Sequence, residues 1–388
     1  MRVLIVHNRY RSTLPSGEND VVDQDIELLR EAGVKVELYL QDSDEIEQYG
    51  FLQKAELLTR PIYSLRDANA FRSRLRSFSP DVIHLHNPYP LISPGVIRVA
   101  KAEGIPVVQT VHNYRLVCAN GLYFRDGNVC QDCLGKRIPW PSVVHRCYRD
   151  SLPQSLIMAT SMSVNRSTWN MVDRYLPVSE FVAEQLRIAG VPDERIRVRV
   201  NTTPDPGEPA PLGDGLLFVG RLADEKGISL LLEAWSQAGV SDFATLTIAG
   251  DGPQRESVER AARDDPSIHV LGLVASDRVG QLIDECALCV VPSLCFEAAA
   301  PLSALQSFAR GRSVISLKIG ALAKVVNDQS GWICAPPYRD ELASAIRLAL
   351  GNRQELEARG AAARHLYEQS YGPRIAIQDL LEIYSEFI

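Results

Sequence analysis

Short β-branched apolar runs alternate along the chain with longer segments of helical period, and this repeat constrains the fold more than any other feature. The apolar runs occupy residues 3–6, 34–40, 82–85 and 107–111, and the pattern restarts at residues 215–219, 244–249, 269–273, 288–291 and 313–317. Runs of this length are typical of strands in parallel sheets that helices cover on both faces. The sequence therefore predicts an α/β protein with two doubly wound, Rossmann-like domains.

A segment without periodicity separates the two repeats. Residues 201–213 are rich in Pro, Gly, Asp and Thr, which is typical of a linker or hinge. We expect one domain over residues 1–200 and a second over residues 214–370. Because doubly wound sheets bind ligands beyond the carboxyl ends of their strands, a ligand is expected in a cleft where the two domains face each other.

Overall charge and hydropathy exclude several classes of partner and location. The chain of 388 residues has a formal net charge of −7, whereas nucleic-acid-binding proteins usually carry a basic excess or stripe. No segment reaches the roughly 18 uninterrupted apolar residues of a membrane-spanning helix, and no signal-peptide core precedes the first predicted strand. We therefore expect a cytoplasmic protein without a nucleic-acid partner.

The loop after the first strand of the second domain has the chemistry of a diphosphate site. Gly220 and Arg221 follow that strand, and Lys226 and Gly227 stand at the start of the next helix. Arginine offers a forked pair of donors, lysine a point charge, and a helix N-terminus its free N–H groups. The alternative interpretation is a solvated loop with two ordinary charges.

Further motifs follow in the order known from one enzyme family. In the second half they read AGDGP at 249–253, VLGLV at 270–274, PSLCFE at 292–297 and FARGRSVI at 308–315, then Gly320 and GWI at 331–333. In the first half they are Gly17, PDVIHLH at 80–86, TVHN at 110–113 and VSEF at 178–181. With this ordered set, which covers nearly the whole chain, the sequence resembles the retaining glycosyltransferases of the GT-B fold, specifically family 4.

The resemblance implies binding of a nucleotide-diphosphate-sugar donor. Arg221 and Lys226 would neutralise the diphosphate, so that no catalytic metal or organic cofactor is expected. Gly17 would let the backbone approach the same phosphates. The other donor-binding positions that the resemblance implies are Leu271 and Gly272, beside the nucleotide base, and Leu302 and Gln306.

Two further positions would serve the transfer itself. His112 would hydrogen-bond a sugar hydroxyl beside the acceptor, and Glu297 would lie at the sugar ring, with capping of a helix near Pro301 as its alternative role. The implied reaction transfers the sugar, with retention of configuration, to a hydroxyl of an acceptor that the sequence does not identify (polysaccharide, glycolipid or natural product). Residues 371–388 resemble the family's closing helix, which packs back on the first domain.

The chain departs from the family at the ribose side of the donor site. Family members usually carry a glutamate eight residues after the position of Glu297, whereas this chain has Gln306 nine residues on, and Lys324 stands where an acidic residue is common. Glutamine donates and accepts hydrogen bonds, but it lacks the charge that strengthens them. These departures motivate a second hypothesis, a non-catalytic nucleotide-sugar-binding homologue that acts as a regulatory or partner subunit.

Four of the eight cysteines surround an insertion after His112. Cys118, Cys130, Cys133 and Cys147 have the spacing C-x11-C-x2-C-x13-C. Four thiolates could complete a tetrahedral structural zinc site that fixes the insertion. Reduced free thiols are the alternative, and disulfides are disfavoured in a cytoplasmic chain.

Two charged segments admit further interpretations. The sequence Asp42-Ser43-Asp44 could hold Mg²⁺ or Mn²⁺ with a nucleotide sugar, but capping of a helix that starts near Glu45 is the simpler interpretation. Residues 60–76 carry five arginines among apolar residues. This stretch could make a weak peripheral membrane contact, although a solvated helix face is favoured because the overall charge is acidic.

Overall fold

The chain forms two parallel sheets in a computed structural model that describes residues 1–12 and 16–388. Each sheet belongs to its own unit. The first unit comprises Met1–Tyr123, Cys130–Val200 and Ala376–Ile388, and the second comprises Phe124–Val129 and Asn201–Ile375. Because strands and helices alternate around both sheets, the structure confirms the predicted class of two Rossmann-like α/β folds.

The strands of the first half are β1 (Arg2–Arg9), β2 (Lys35–Asp42), β3 (Val82–Leu85), β4 (Val107–Val111), β5 (Phe124–Arg125), β6 (Asn128–Val129) and β7 (Arg174–Pro177). Five of them form a parallel sheet in the order β2-β1-β3-β4-β7, and β5 pairs with β6 as an antiparallel hairpin. The helices of this half are α1 (Gly17–Glu31), α2 (Glu45–Gln48), α3 (Phe51–Glu56), α4 (Leu65–Phe78), α5 (Gly95–Ala102), α6 (Trp140–Val144), α7 (Leu152–Val164), α8 (Arg166–Trp169) and α9 (Glu180–Ile188).

The strands of the second half are β8 (Leu216–Val219), β9 (Leu246–Ala249), β10 (Ile268–Gly272), β11 (Leu288–Val291), β12 (Ser313–Leu317) and β13 (Gly331–Cys334). All are parallel, in the order β10-β9-β8-β11-β12-β13. The helices are α10 (Ile228–Ala238), α11 (Arg255–Asp264), α12 (Ser276–Glu285), α13 (Leu302–Ala309), α14 (Leu322–Val325), α15 (Tyr338–Leu350), α16 (Arg353–Ser370) and α17 (Pro373–Ser385).

Each sheet has its own apolar core. In the first unit, Val3 and Ile5 of β1 pack with Val22 of α1 and with Leu380 and Ile383 of α17. The last helix therefore completes the core of the first unit. In the second unit the core lies between β8, β9 and β11 and the helices around them, with Trp235 of α10 fully buried at its centre. Each fully buried aliphatic side chain contributes roughly 1.5–3 kcal/mol to folding.

The structure shows how the carboxylates and arginines of the two charged segments are bonded. Asp44 precedes α2 but makes no side-chain capping bond, so the capping interpretation is wrong. Instead the Asp42 carboxylate accepts a hydrogen bond from the Asp44 backbone N–H (2.9 Å), and the Asp44 carboxylate accepts one from the Ser12 N–H (3.1 Å). These local bonds use both carboxylates to close a turn.

Four of the five arginines of residues 60–76 form ion pairs with nearby carboxylates. Arg72 and Arg76 both pair with Glu103, Arg74 pairs with Glu37, and the neighbouring Arg60 pairs with Asp67. This pairing favours the solvated helix face over a membrane-binding surface at residues 60–76. Among the residues that the structure describes, no helix combines the length and apolar character needed to cross a bilayer.

Candidate functional site

The two predicted diphosphate ligands lie on one loop at the carboxyl edge of the second sheet. Arg221 follows β8, and Lys226 ends a short 3-10 turn that leads into α10. Gly227 comes next with φ of 70°, and a Cβ at this position would overlap the carbonyl oxygen of Pro292. Glycine is therefore required here, and its close approach brings Lys226 beside the loop that follows β11.

Lys226 is held by a carboxylate from that loop. Its Nζ lies 2.6 Å from Glu297 Oε1, and the Ser293 hydroxyl donates to the same oxygen at 2.6 Å. Burial alone would lower the Lys226 pKa, but nearby Glu297 outweighs it, so the pKa lies above its usual value. The N-cap position of α13 is Pro301, which makes no side-chain capping bond.

Arg221 is paired in the same way. Its guanidinium donates to the carboxylate of Glu225, four residues along the loop. The Arg221 side chain is 46% exposed, whereas Glu225 is largely buried. Arg221 is thus exposed and Lys226 partly exposed, and each cation is balanced by a carboxylate.

The predicted nucleotide side of the site consists of two pairs of residues. Leu271 lies at an irregularity in the pairing of β10 with β9 and is 44% exposed, while the Gly272 carbonyl accepts a bond from the Gly250 N–H (2.8 Å). Leu302 and Gln306 lie four residues apart on α13, and both side chains are partly exposed. Residues at this spacing share a helix face, so Leu302 and Gln306 present one surface.

In the first unit, histidines lie at the carboxyl ends of three neighbouring strands. His7 is on β1, His86 follows β3 and His112 follows β4. His86 Nδ1 and His112 Nε2 lie 2.9 Å apart, and the two rings stack. Burial lowers the pKa of His112 to about 3 and that of His7 to about 4, so both are uncharged at neutral pH. Uncharged imidazoles can donate to or accept from a sugar hydroxyl.

His84, by contrast, is a core residue, as the sequence pattern indicates. Its two ring nitrogens lie 2.7 Å from the Thr110 hydroxyl and 2.6 Å from the Tyr384 hydroxyl. Both polar atoms of the buried ring are therefore satisfied within the first unit.

Sequence reasoning missed Glu18, which follows Gly17 and borders the same pocket as His112. Gly17 opens α1, and Glu18 is in its first turn with only 8% of its side chain exposed. Glu18 Oε2 accepts bonds from the Tyr10 hydroxyl (3.1 Å) and from the Asn113 amide (3.2 Å). Burial raises the Glu18 pKa to about 7. Its position next to Gly17 was the only available signal, because Tyr10 and Asn113 come from other loops.

The second oxygen of Glu18 faces an unsatisfied histidine nitrogen. Glu18 Oε1 and His7 Nδ1 lie 4.0 Å apart, and neither has a hydrogen-bond partner among the described residues. Asn19 Oδ1 accepts from the Tyr10 N–H (3.3 Å), so His7 Nε2 donates to it (2.9 Å), which leaves His7 Nδ1 as an acceptor. A small pocket borders Glu18, His86 and His112. The pocket therefore contains polar atoms that a hydroxyl-bearing ligand could satisfy.

Cys118, Cys130, Cys133 and Cys147 of the insertion form no disulfide in the structure. The Cys118 thiol donates to Asn120 Oδ1 (3.0 Å), and the Cys133 thiol lies 3.9 Å from the Pro139 carbonyl oxygen. Within residues 1–12 and 16–388, no three His, Cys, Asp or Glu side chains are arranged to hold a metal ion. The charges of Cys118, Cys130 and Cys147 act on the Cys133 thiol, so the four cysteines lie near one another, and zinc binding by them stays a prediction.

Curated relatives of this chain are named as glycosyltransferases. Glycogen synthase of Mycobacterium tuberculosis is 28% identical over 294 residues, which cover 74% of this chain and 64% of that protein. Alpha-D-kanosaminyltransferase of Streptomyces kanamyceticus is 28% identical over 44% of this chain and 45% of its own length. The chain thus matches less than two thirds of the length of these two relatives.

Solved structures with the same fold cover the whole chain. Sucrose-phosphate synthase from Thermosynechococcus elongatus superposes with a TM-score of 0.72 at 16% identity, over 99% of this chain and 98% of that one. The Anabaena protein HepE, in complex with UDP-glucose, gives a TM-score of 0.68 at 16% identity over all of both chains. At this level of identity, the likeness establishes the GT-B fold alone.

Two family models match successive parts of the chain and together identify its family. The model described as Glycosyltransferase Family 4 matches residues 19–202, and the model described as Glycosyl transferases group 1 matches residues 213–352. Together the two matches include His112, Arg221, Lys226, Glu297 and Gln306. The chain therefore belongs to the family 4, group 1 glycosyltransferases.

Proposed function

We propose that this protein transfers a sugar, with retention of configuration, from a nucleotide-diphosphate-sugar to an acceptor hydroxyl. The observation that carries the proposal is the arrangement of Arg221 and Lys226 on one loop, each paired with a carboxylate. A paired cation is kept in place and remains charged, and it can exchange its carboxylate for a phosphate oxygen without moving far. The loop is therefore preorganised for a diphosphate.

The two cations would act on the leaving group. As the bond between sugar and diphosphate lengthens, negative charge grows on the phosphate oxygens, where Arg221 and Lys226 stabilise it without a catalytic metal. Attack from the same face, with a leaving phosphate oxygen taking the acceptor proton, accounts for retention. Glu297 would then lie at the sugar ring beside Lys226. No double-displacement nucleophile is assigned to the chain.

The acceptor hydroxyl would bind to the pocket of the first unit. His112 and His86 are uncharged and offer hydrogen bonds without attracting ions, and Glu18 Oε1 is a buried oxygen that needs a donor. A sugar or polyol hydroxyl supplies that donor. The proposed acceptor class is therefore a hydroxyl-rich molecule, consistent with polysaccharide, glycolipid and natural-product acceptors.

The donor site is tested by ligand-induced stabilisation followed by turnover. UDP-, GDP- and dTDP-glucose are screened by thermal shift, because a bound donor stabilises the folded state by mass action. With the donor that gives the largest shift, R221A and K226A should lower the release of nucleoside diphosphate by roughly 100-fold or more. The matched control is R353A, because Arg353 is also an exposed, ion-paired arginine of the second unit but contacts the segment before β8. Wild-type turnover in R221A and K226A would refute the diphosphate assignment.

A second candidate function is binding of a nucleotide sugar without transfer. Gln306 and Lys324 favour it, because the family usually has acidic residues at both positions. The same experiment separates the two functions. Stabilisation by a donor with no release of nucleoside diphosphate, with or without an acceptor panel, would support the binding protein, whereas slow release would already exclude it.

A further inference from the structure

The segment 133–164 of the first unit has an unusual charge balance. It contains Lys136, Arg137, Arg146 and Arg149 but only one acidic residue, Asp150, in a chain whose formal net charge is −7. All four basic side chains are exposed. None has an ion-pair partner among the described residues, in contrast to the paired arginines near α4. The segment therefore carries a local excess of positive charge.

Large apolar side chains are exposed in the same segment. The exposed fractions are 60% for Ile138, 58% for Trp140, 63% for Val144, 49% for Leu152 and 55% for Leu156. Trp140 and Val144 are four residues apart on α6, and Leu152 and Leu156 are four residues apart on α7, so each pair shares a helix face. Because α6 and α7 pack against each other, the two pairs lie on adjoining helices.

Helix α7 has an uncharged and largely apolar composition, which is typical of a helix that is buried against a partner. Its 13 residues include no charged side chain. The Thr160 hydroxyl bonds to the Leu156 carbonyl (2.8 Å) and the Ser163 hydroxyl to the Ala159 carbonyl (2.7 Å), so these polar groups are satisfied within the helix. A buried apolar helix would explain such a composition, but the Leu152, Leu156 and Val164 side chains are exposed. Their burial would need a partner.

We propose that the surface formed by residues 136–156 binds the interface of an anionic lipid bilayer. Exposed leucine, valine and tryptophan side chains would enter the boundary between headgroups and acyl chains, while the four basic side chains contact anionic headgroups. Tryptophan favours this boundary because its ring is apolar and its N–H is polar. Lipid is favoured over a second copy of this chain because the unpaired positive charges would repel each other across a twofold interface.

The proposal is tested by sedimentation of the full chain with vesicles of phosphatidylcholine containing 30% phosphatidylglycerol, compared with pure phosphatidylcholine. We expect binding to the anionic vesicles at low salt and its loss at about 0.5 M NaCl, because salt screens the headgroup charge. K136Q/R137Q should lower the partition coefficient roughly 30-fold, since each basic residue near such a surface contributes about fivefold. The matched control is R72Q/R74Q, which removes the same charge from α4 and should bind like wild type.

The apolar contribution has a separate test. L152S/L156S should weaken vesicle binding at unchanged charge, whereas F243S, at a 63% exposed phenylalanine of the second unit, should not. Wild-type tryptophan emission should shift to the blue on vesicle binding, and W140F should bind with little shift. Absence of wild-type binding to anionic vesicles, equal binding by K136Q/R137Q and wild type, or a dimer that L152S/L156S dissociates would each overturn the proposal. Because the assay uses no donor or acceptor, it is independent of the proposed transfer.

Discussion

Lys226 and Glu297 are 71 residues apart in the chain, yet the lysine Nζ lies 2.6 Å from the glutamate Oε1. The contact joins the loop after β8 to the loop after β11, which are neighbouring strands of the second sheet. Glu297 would therefore compete with the proposed diphosphate for Lys226. Donor binding would have to replace or share this contact.

This competition predicts that E297Q binds nucleoside diphosphate more tightly than wild type but turns over more slowly. Glutamine removes the negative charge that opposes the diphosphate, and a partly exposed ion pair of this kind is worth about 1 kcal/mol, or roughly fivefold in Kd. The measurement is calorimetric titration with UDP, GDP or dTDP, whichever stabilises the wild type most. The control is E256Q on α11, where the carboxylate is 86% exposed. Weaker binding by E297Q would show that Glu297 does not oppose the phosphates.

The raised pKa of Glu18 predicts that its contribution to the free energy of unfolding falls as pH rises, which is the reverse of the usual behaviour of a carboxylate. Its pKa is raised from 4.5 to about 7 in the folded state, so the native chain binds more protons than the unfolded chain between these values, and Glu18 lowers stability as pH rises through this window. E18Q mimics the protonated carboxyl group. We expect E18Q to gain up to about 3 kcal/mol relative to wild type at pH 8 and little at pH 4.5.

The check is urea unfolding of both proteins at the two pH values, with E27Q on the exposed face of α1 as the control. E27Q should show no such gain. If the difference between E18Q and wild type were the same at pH 4.5 and pH 8, the raised pKa would be wrong. A stabilised E18Q that also loses activity toward its acceptor would connect the buried carboxylate with the proposed acceptor site.

A buried ion pair in the first unit predicts a large loss of stability. Arg199 donates two bonds to Asp25 of α1, at 2.8 and 2.5 Å, and both side chains are almost fully buried. R199M would leave the Asp25 charge without a partner, so we expect a loss of about 3–5 kcal/mol in the free energy of unfolding. The double variant R199M/D25N should recover part of it.

The matched control for this pair is R187M on α9, which breaks exposed ion pairs with Glu180 and Asp193. Exposed pairs contribute about 0–1 kcal/mol, so R187M should unfold close to wild type. Equal losses in R199M and R187M would contradict the assignment of Arg199 as the partner that offsets a buried charge.

The positions of strands could be predicted from the sequence where a continuous apolar run marks the strand. The runs at 82–85, 107–111, 288–291 and 313–317 coincide with β3, β4, β11 and β12, because buried parallel strands are continuous and apolar. The strands β7 and β13 were missed. Arg174 at the start of β7 and Gly331 at the start of β13 interrupt the apolar pattern. Such edge strands are fixed by pairing with a neighbour rather than by their own composition.

The sequence predicts individual residues of the candidate site but not the contacts between them. Arg221 and Lys226 are close in sequence, and their residue types alone indicate anion binding. The pairing of Lys226 with Glu297 depends on the close approach of Gly227 to Pro292, which no local pattern encodes. Glu18 becomes unusual only through burial beside Asn113, which is 95 residues away. Perturbed groups of this kind follow from tertiary packing.

Gln306 gives the last prediction, because the resemblance implies that it stands where family members usually carry a glutamate. Its side chain is partly exposed on the α13 face that it shares with Leu302. A carboxylate forms stronger hydrogen bonds to ribose hydroxyls than an amide, so Q306E should lower the donor KM roughly three- to tenfold, and Q306L should raise it. The control is Q281E, which adds the same charge at an exposed position of α12. If Q306E matched Q281E in donor KM, and Q306L matched wild type, Gln306 would not contact the ribose.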